Sequence, residues 1–395
     1  MTLTYNENIH DRRSAWGAVF SMTLCVFVLI ASEFMPVSLL TPIAADLGVS
    51  EGNTGQAISI SGIFAVVTSL FIAGLTRRLD RRVVVLGLTT FLMLSGIAVT
   101  FAPAYSLLML GRALLGISIG GFWSMSTSIV MRLVSHDQVP KALALLNAGN
   151  AIAATVSAPL GSLLGSYIGW RGAFFLVVPV GLLALVWQWA SLPSLPPRRD
   201  HASSNVFRLL WRLPVAIGMV AILMLFMGQF ALFTYLRPFL EQVTYLGIQT
   251  LSLVLLLMGL AGAVGTWVVS RLLNDRLFSI LIAIPFLMAC IALTMIALGD
   301  AQAPVALLLV GWGFLGTAAP VSWGTWLSRV LADDAEAGGG LQVAVIQLAI
   351  TAGASLGGLL FDAAGWQSTF ALSAALLCGS SLASFAAWRL SRRSS

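Results

Sequence analysis

The stretch "APLGSLLGSYIGWRGAFFL", residues 158–176, returns later in the chain as "ASLGGLLFDAAGWQSTFAL", residues 354–372. The two segments match at Ala, Leu, Gly, Leu-Leu, Gly-Trp, Phe and Leu, at an offset of 196 residues. Further pairs recur at similar offsets: Asp80-Arg81 with Asp275-Arg276, Leu115-Gly116 with Leu315-Gly316, and Trp123 with Trp323. The chain is therefore predicted to be a duplication of one unit, and its two halves should share one fold.

The composition places the chain in a lipid bilayer. Of its 395 residues, 58% are hydrophobic and only 9% are charged, with a mean hydropathy of +0.95, whereas soluble proteins carry about 25% charged residues. The first apolar run follows Arg12 and Arg13, but it is too long for a signal peptide and is expected to remain in the mature chain. All three cysteines, Cys25, Cys290 and Cys378, fall in apolar runs and are predicted to pack rather than to form disulfides.

Runs of about 20 apolar residues are long enough to cross a membrane as helices. The sequence contains twelve such runs, near residues 16–40, 54–76, 83–102, 107–134, 142–168, 172–192, 214–239, 251–273, 277–298, 304–330, 341–361 and 368–390. The segment between the sixth and seventh runs is rich in Pro, Arg and Ser, as is typical of a linker. We predict an N-terminal six-helix bundle over residues 1–192, a cytoplasmic linker over 193–213 and a C-terminal six-helix bundle over 214–395.

The basic residues predict the direction of the spans. If the N-terminus is cytoplasmic, 18 of the 21 Lys and Arg residues lie in inside segments, Arg171 and Arg237 lie outside, and Arg112 is embedded. This asymmetry favours two cytoplasmic termini in a bacterial inner membrane, and it makes a nucleic-acid surface unnecessary. The predicted fold is all-α, with twelve transmembrane helices in two bundles related by pseudo-twofold symmetry. Two parallel repeats with a site at their interface are expected of a major facilitator transporter.

Glu33 is a carboxylic acid inside the first apolar run. A charge near the bilayer centre costs roughly 2.5 to 3.5 kcal/mol on insertion scales, so Glu33 should face a cavity, hold a proton or find a partner. Arg112 is the obvious partner, because each residue lies seven positions inside the outer end of its span and hence about 10 Å below the outer surface. Burial favours the protonated acid and a neighbouring arginine favours the carboxylate, so movement between the two would change the proton affinity.

This reasoning predicts proton coupling by Glu33 and Arg112, with a static buried pair that orients two helices as the alternative. Pro36 lies beside Glu33 in the same run. Its ring removes one helical hydrogen bond, which should kink the first span and free the carbonyl of Ser32.

Several motifs resemble a known family. "EFMPVSLL" from Glu33, "DRR" from Asp80, "GRALLGISIGG" around Arg112 and "GNAIAATVSAPLGSLLG" from Gly149 are similar to segments of the twelve-helix drug:proton antiporters of the major facilitator superfamily. More narrowly, "FMPVSLLTPIAADLGVSEG", "GGFWSMSTS", "GQFALFTYLRP" and "QVAVIQLA" resemble the bacterial purine ribonucleoside efflux pumps, with sugar and arabinose exporters as close relatives. The resemblance implies a proton-coupling role for Glu33 and Arg112.

The resemblance also implies gating residues in two places: Asp80, Arg81 and Arg82 in the loop after the second span, and Gly149, Pro159 and Gly161 in the fifth. Both motifs depart from the family pattern. Ala158 stands where the antiporter signature has a glycine before its proline, and Asp80 stands where the loop commonly has its second glycine. The small residues of the fifth span could equally serve ordinary helix packing.

A nucleoside or sugar needs hydrogen bonds to its hydroxyls, and a base needs a flat face for stacking. The spans supply aromatic and amide side chains for both. The predicted substrate-binding residues are Phe122, Trp123, Asn147, Asn150, Gln229, Phe230, Phe233, Tyr235, Trp323, Gln342 and Gln347. The favoured cargo is a small, neutral, polar substrate such as inosine or guanosine, with export of sugars, arabinose or chloramphenicol-like drugs as the alternative.

Other functional classes fit less well. His10, His136 and His201 all lie outside the spans, and the spans carry no Cys/His metal cluster or nucleophile constellation, so an enzyme is not expected. A membrane sensor could also bind a nucleoside, but it would not need a duplicated half with an embedded acid. We expect a monomer in the lipid bilayer that exchanges substrate for protons, with no metal, no cofactor besides the proton gradient, and no nucleic-acid partner.

Overall fold

The computed structural model describes residues 2–135, 138–197, 206–331 and 335–392. All of the regular secondary structure in these ranges is helical. The helices are α1 (Thr2–Leu47), α2 (Glu51–Leu75), α3 (Arg81–Thr100), α4 (Tyr105–Leu133), α5 (Val139–Phe175), α6 (Val177–Ser191), α7 (Val206–Leu209), α8 (Leu213–Thr234), α9 (Leu236–Gln242), α10 (Ile248–Ala297), α11 (Gln302–Gly316), α12 (Ala319–Val330), α13 (Ala335–Ala364) and α14 (Trp366–Ser391).

In the described part of the chain, eleven helical segments are long and apolar enough to cross a membrane. One of them, Lys141–Ser191, has 51 residues and is interrupted at Gly169, whose φ of 74° is non-helical, so it is long enough for two crossings. Likewise, Arg276 interrupts α10 with non-helical φ and ψ angles, which separates two further spans. The all-α fold and the twelve predicted spans are confirmed, with ends that differ by a few residues.

The duplication is visible in the backbone. Gly169 and Gly365, 196 residues apart, both have positive φ, a conformation that glycine adopts without strain. The residue after each is a tryptophan that meets a phenylalanine four positions on, edge to face: Trp170 with Phe174, and Trp366 with Phe370. The recurring sequence therefore builds the same corner twice.

Each half has its own hydrophobic cluster. One cluster is formed mainly by residues 18–195 and the other mainly by residues 209–377. Across the halves, α2 packs on α13 and α5 packs on α10. A Cβ at Gly62 of α2 would lie 1.9 Å from Thr351 Oγ1, so glycine is required for this close approach.

Two predicted spans are bent rather than straight. The seventh turns after Thr234 into the short helix α9, and the tenth is divided between α11 and α12, with Pro320 at the start of α12. Proline lacks the backbone N–H needed to continue the preceding helix. The linker is only partly described, because residues 198–205 lie outside the described residues, as do His136 and His201.

The two ends of the molecule differ in the elements that they carry. The terminal face carries the N-terminal end of α1 and the C-terminal end of α14. The distal face carries the connections near residues 48–50, 243–247 and 298–301, together with Gly365. The candidate site lies between the halves, and the helix α1 forms part of it.

Candidate transport site

Arg112 of α4 is almost completely buried, with 1% of its surface exposed. Its Nε donates to the carbonyl of Ala57 at 2.9 Å, and its Nη2 donates to Ser61 Oγ at 3.1 Å, both on α2. Nη1 donates to the carbonyl of Ser32 on α1 at 2.7 Å. Since Pro36 cannot bond the Ser32 carbonyl as a helical donor, the arginine supplies the missing hydrogen bond. Arg112 thus ties α4 to the two neighbouring helices.

Glu33 is also buried, with 3% exposed. The contact from Arg112 Nη2 goes to the backbone carbonyl of Glu33 at 3.3 Å. Among the described residues the ion pairs lie elsewhere, and the expected direct salt bridge between the two side chains is absent in this conformation. The side-chain amide of Gln347, on α13 of the other half, faces the Glu33 carboxyl group. The acid therefore stands between the arginine of its own half and an amide of the opposite half.

Three aromatic rings lie beside this acid. Phe34 of α1 stacks on Phe230 of α8 with ring centroids 5.7 Å apart, and Phe233 meets both rings at close to a right angle. Gln229 and Phe233 lie one helical turn apart on α8, and each is half-buried. The interface thus brings together Glu33, Gln229, Phe230, Phe233 and Gln347. Phe34 was not among the predicted residues, although it follows Glu33 directly in the sequence.

The remaining predicted binding residues lie further apart. Phe122 is buried and meets the half-buried Trp123 edge to face on α4. On α5, Asn150 is half-buried and Asn147 is exposed. On the second half, Trp323 is buried against Trp326, and Gln342 lies near the start of α13.

Tyr235 does not face the aromatic cluster. Its hydroxyl donates to the carbonyl of Ala354 at 2.8 Å, and its ring stacks on Phe361 at 5.2 Å. It is fully buried between α2, α8 and α13, where Gly55, Gly357 and Gly358 make room for it. Its surroundings are those of a packing residue at the distal face.

Contacts between the halves close the distal face. Ser50 Oγ donates to Asp362 Oδ2 at 2.6 Å, and the Gly52 amide donates to Asp362 Oδ1 at 3.1 Å. Gln242 Nε2 donates to Glu51 Oε1 at 2.9 Å. These bonds join α2 to α13 and α9, so the distal face must be broken open for a substrate to pass there.

Arg237 of α9 adds a further contact across the halves. Sequence reasoning placed it in an outer segment, but the structure buries it to 7% exposure. It donates through Nη1 to the carbonyl of Ser38 on α1 and pairs with Glu241 at 2.8 Å. Pro42 cannot bond the Ser38 carbonyl within α1, as Pro36 cannot bond that of Ser32. Each of these two prolines in α1 therefore leaves a carbonyl that an arginine caps, one from each half.

The predicted gating glycines belong to α5 and pack against α1. A Cβ at Gly149 would approach the Thr23 carbonyl to 2.9 Å, and one at Gly161 would approach Ser38 Oγ to 2.5 Å. Pro159 instead lines a groove of about 510 Å³ between α5 and α10, whose other lining residues are mostly leucine and valine. Several of its leucines are exposed on the outside of the helix bundle, so this groove is separate from the candidate site.

The loop before α3 forms hydrogen bonds with the beginning of the linker. Asp80 caps α3 by accepting from the Arg82 amide at 2.8 Å, and it also accepts from the Leu195 amide at 2.8 Å and from Ser194 Oγ. Burial raises the pKa of Asp80, but these hydrogen bonds together lower the pKa below its ordinary value. Arg82 Nη2 donates to the Trp189 carbonyl at 2.6 Å, and Arg81 Nη1 donates to Thr76 Oγ1 at 2.7 Å. Asp80 and Arg82 thus bind the linker and the end of α6, and the side chain of Arg81 binds the end of α2.

Comparison with known proteins identifies the family. The model of the Major Facilitator Superfamily matches residues 22–339. In fold, the chain is similar to a bacterial homolog of the human lysosomal transporter Spinster, with a TM-score of 0.74 and 13% identity, over 95% of this chain and 97% of that one. It is also similar to the human organic anion transporter MFSD10, with a TM-score of 0.68 and 18% identity, over 94% of this chain and 99% of that one.

Two curated relatives are similar along nearly their whole length. The transcription regulatory protein OpdE of Pseudomonas aeruginosa is 55% identical over 378 residues, which cover 95% of this chain and 94% of that protein. The purine ribonucleoside efflux pump NepI of Salmonella paratyphi B is 45% identical over 379 residues, which cover 94% of this chain and 96% of that protein. The chain belongs to the Major Facilitator Superfamily: it is a multi-pass membrane transporter and not an enzyme.

Proposed function

We propose that this transporter exports purine ribonucleosides such as inosine and guanosine in exchange for protons. The observation that carries the proposal is the interface between the halves, where a buried acid, Glu33, faces the amide of Gln347 next to an aromatic cluster. A buried ionisable group among spans is typical of a proton pathway. The rings of Phe34, Phe230 and Phe233 offer a stacking surface for a base, and the amides of Gln229 and Gln347 offer hydrogen bonds to a sugar.

The proposed cycle is alternating access by the two bundles, residues 1–192 and 214–395. In this cycle Arg112 modulates the proton affinity of Glu33, and the α1–α5 contacts at Gly149 and Gly161 allow the bundles to rock. The excess of Lys and Arg at the terminal face supports a cytoplasmic location for both termini in a bacterial inner membrane. The closed distal face is then the outer one, and the conformation described here would receive substrate from the cytoplasm.

Two observations favour other functions. The 55% identity to OpdE favours a regulatory role in the membrane as a second candidate, because that relative is named a transcription regulatory protein. Within transport, export of pentoses such as arabinose or of chloramphenicol-like drugs is the alternative, because a sugar would use the same amides. The identity to NepI along nearly the whole chain supports the nucleoside.

Uptake into everted membrane vesicles tests the proposal. We expect labelled inosine and guanosine to accumulate only when the vesicle interior is acidic, and arabinose and chloramphenicol to accumulate little. Vesicles without the protein are the control. Equal uptake with and without the pH gradient would contradict proton coupling, a preference for arabinose would favour sugar export, and no transport of any of these compounds would favour the regulatory role.

Arg237 is expected to hold the distal face closed. Arg237→Gln removes the charge-assisted hydrogen bond to the Ser38 carbonyl. A hydrogen bond from a charged donor is roughly twice as strong as one between neutral groups. The population with an open distal face should therefore rise. Distances between spin labels at positions 49 and 300, in distal connections of the two halves, measure this shift.

Arg171→Gln is the matched control for Arg237→Gln. Arg171 is also an arginine of the distal face, but it pairs with Asp46 and with the Ala102 carbonyl, both in its own half. Its loss should leave the distance between the labels unchanged. Identical distance distributions for Arg237→Gln and the wild type would show that Arg237 does not hold the distal face closed.

A further inference from the structure

The duplication assigns a counterpart to each member of the Glu33–Arg112 pair. At the offset of 196 that relates Pro42 to Pro238 and Trp170 to Trp366, Glu33 corresponds to Gln229. At the offset of 200 that relates Gly116 to Gly316, Arg112 corresponds to Trp312. The second half thus carries a neutral amide, Gln229, in place of the acid, and a neutral N–H donor, Trp312, in place of the arginine cation.

The two pairs differ in how their hydrogen bonds are satisfied. Arg112 donates to four acceptors of its own half. In contrast, Trp312 is 2% exposed and its Nε1 is buried with no partner, and Gln229 Oε1 is likewise buried with no partner. A buried donor or acceptor without a partner is unfavourable, and it is uncommon in native proteins unless a ligand or water pairs with it.

The two unpaired atoms, Trp312 Nε1 and Gln229 Oε1, belong to side chains that lie close together along α11. A Cβ at Gly316 would lie 2.8 Å from Gln229 Nε2, so the glutamine side chain rests on α11 at Gly316. Trp312 lies one turn before Gly316 on the same helix, and residues four apart share a helix face. On α8, Gln229 lies one turn from Phe233 of the aromatic cluster.

We propose that Trp312 and Gln229 form a hydroxyl subsite for the cargo. A single hydroxyl group can accept a hydrogen bond from Trp312 Nε1–H and donate one to Gln229 Oε1, which pairs both buried atoms at once. For a nucleoside this group is a ribose hydroxyl, so the inference rests on the proposed function and deepens it. The two halves then have different roles. The charged pair Glu33–Arg112 of the first half binds and releases the proton, and the neutral pair Gln229–Trp312 of the second half binds the sugar of the cargo.

Trp312→Phe tests the subsite, because phenylalanine keeps an aromatic ring of similar position and removes only the N–H donor. Inhibition of inosine transport in everted vesicles is measured with 2′-, 3′- and 5′-deoxyinosine and with purine riboside, which lacks the base oxygen. In the wild type, one deoxy analogue should compete roughly 25-fold more weakly than inosine, because it loses two hydrogen bonds between neutral groups at about fivefold each. In Trp312→Phe, inosine should compete about fivefold more weakly than in the wild type, and the discrimination should fall to about fivefold, because only the hydrogen bond to Gln229 Oε1 remains.

Trp366→Phe is the control, since Trp366 packs against Phe239 and Phe370 at the distal face. If Trp312→Phe does not fold, Gln229→Leu is measured instead and should likewise reduce the discrimination to about fivefold. Discrimination that stays at the wild-type level in a folded variant would overturn the proposal, as would discrimination that involves only purine riboside. Absence of inosine transport by the wild type would refute the nucleoside assignment instead. Arabinose and deoxypentoses would then test the hydroxyl subsite in the same variants.

Discussion

Glu33→Gln should abolish accumulation driven by a proton gradient while substrate binding remains. Glutamine has the shape of the protonated acid but cannot release a proton, so the exchange step loses its driving force. A gradient of one pH unit supplies about 1.4 kcal/mol per proton, which corresponds to a tenfold accumulation for a one-proton exchange. In the variant we expect the ratio of internal to external inosine to fall to about one, while exchange of labelled for unlabelled inosine continues.

The control for Glu33→Gln is Asp300→Asn, which neutralises an exposed acid in the connection between α10 and α11. It should accumulate substrate as the wild type does. Full gradient-driven accumulation by Glu33→Gln would contradict the assignment of the proton site. Loss of both accumulation and exchange would mean that Glu33 is needed for binding or folding, and thermal unfolding in detergent distinguishes those two cases.

Arg112→Leu is expected to have the largest structural effect. Leucine would leave the carbonyls of Ser32 and Ala57 and the hydroxyl of Ser61 without their donor, and a buried group left unsatisfied costs about 1 to 3 kcal/mol. We expect a strong fall in thermal stability and no transport. Arg112→Lys should also be impaired, because a single ammonium group cannot reproduce the planar fork of donors.

Pro36→Ala offers a sharper test of this arrangement. Alanine restores a backbone N–H that can bond the Ser32 carbonyl within α1, so the carbonyl no longer depends on Arg112. Pro36→Ala should therefore recover part of the stability that Arg112→Leu loses, and a double-mutant cycle of thermal unfolding measures this coupling. Strictly additive effects would mean that Pro36 and Arg112 act independently.

The amino-acid sequence by itself determined the class and the plan of this protein. Hydropathy, the recurring Gly-Trp segments and the embedded acid are local or periodic signals, and each has a direct physical reading. Apolar runs must form helices in lipid, because no water is present to satisfy the backbone. A repeated segment with a glycine in the same register, at 169 and 365, builds the same positive-φ corner twice.

The tertiary structure decided which polar groups meet. The sequence places Glu33 and Arg112 at one depth, but only the folded chain shows that the arginine binds backbone carbonyls rather than the acid, and that Gln347 of the other half faces the carboxyl group. Tyr235 lies two residues after Phe233, yet their side chains point to different neighbours. Such contacts join residues more than 300 positions apart. They depend on the rotation of each helix about its axis and on the conformation in which the halves meet. Neither is encoded in a local pattern, because a helix buried on several faces has no single apolar stripe that fixes its orientation.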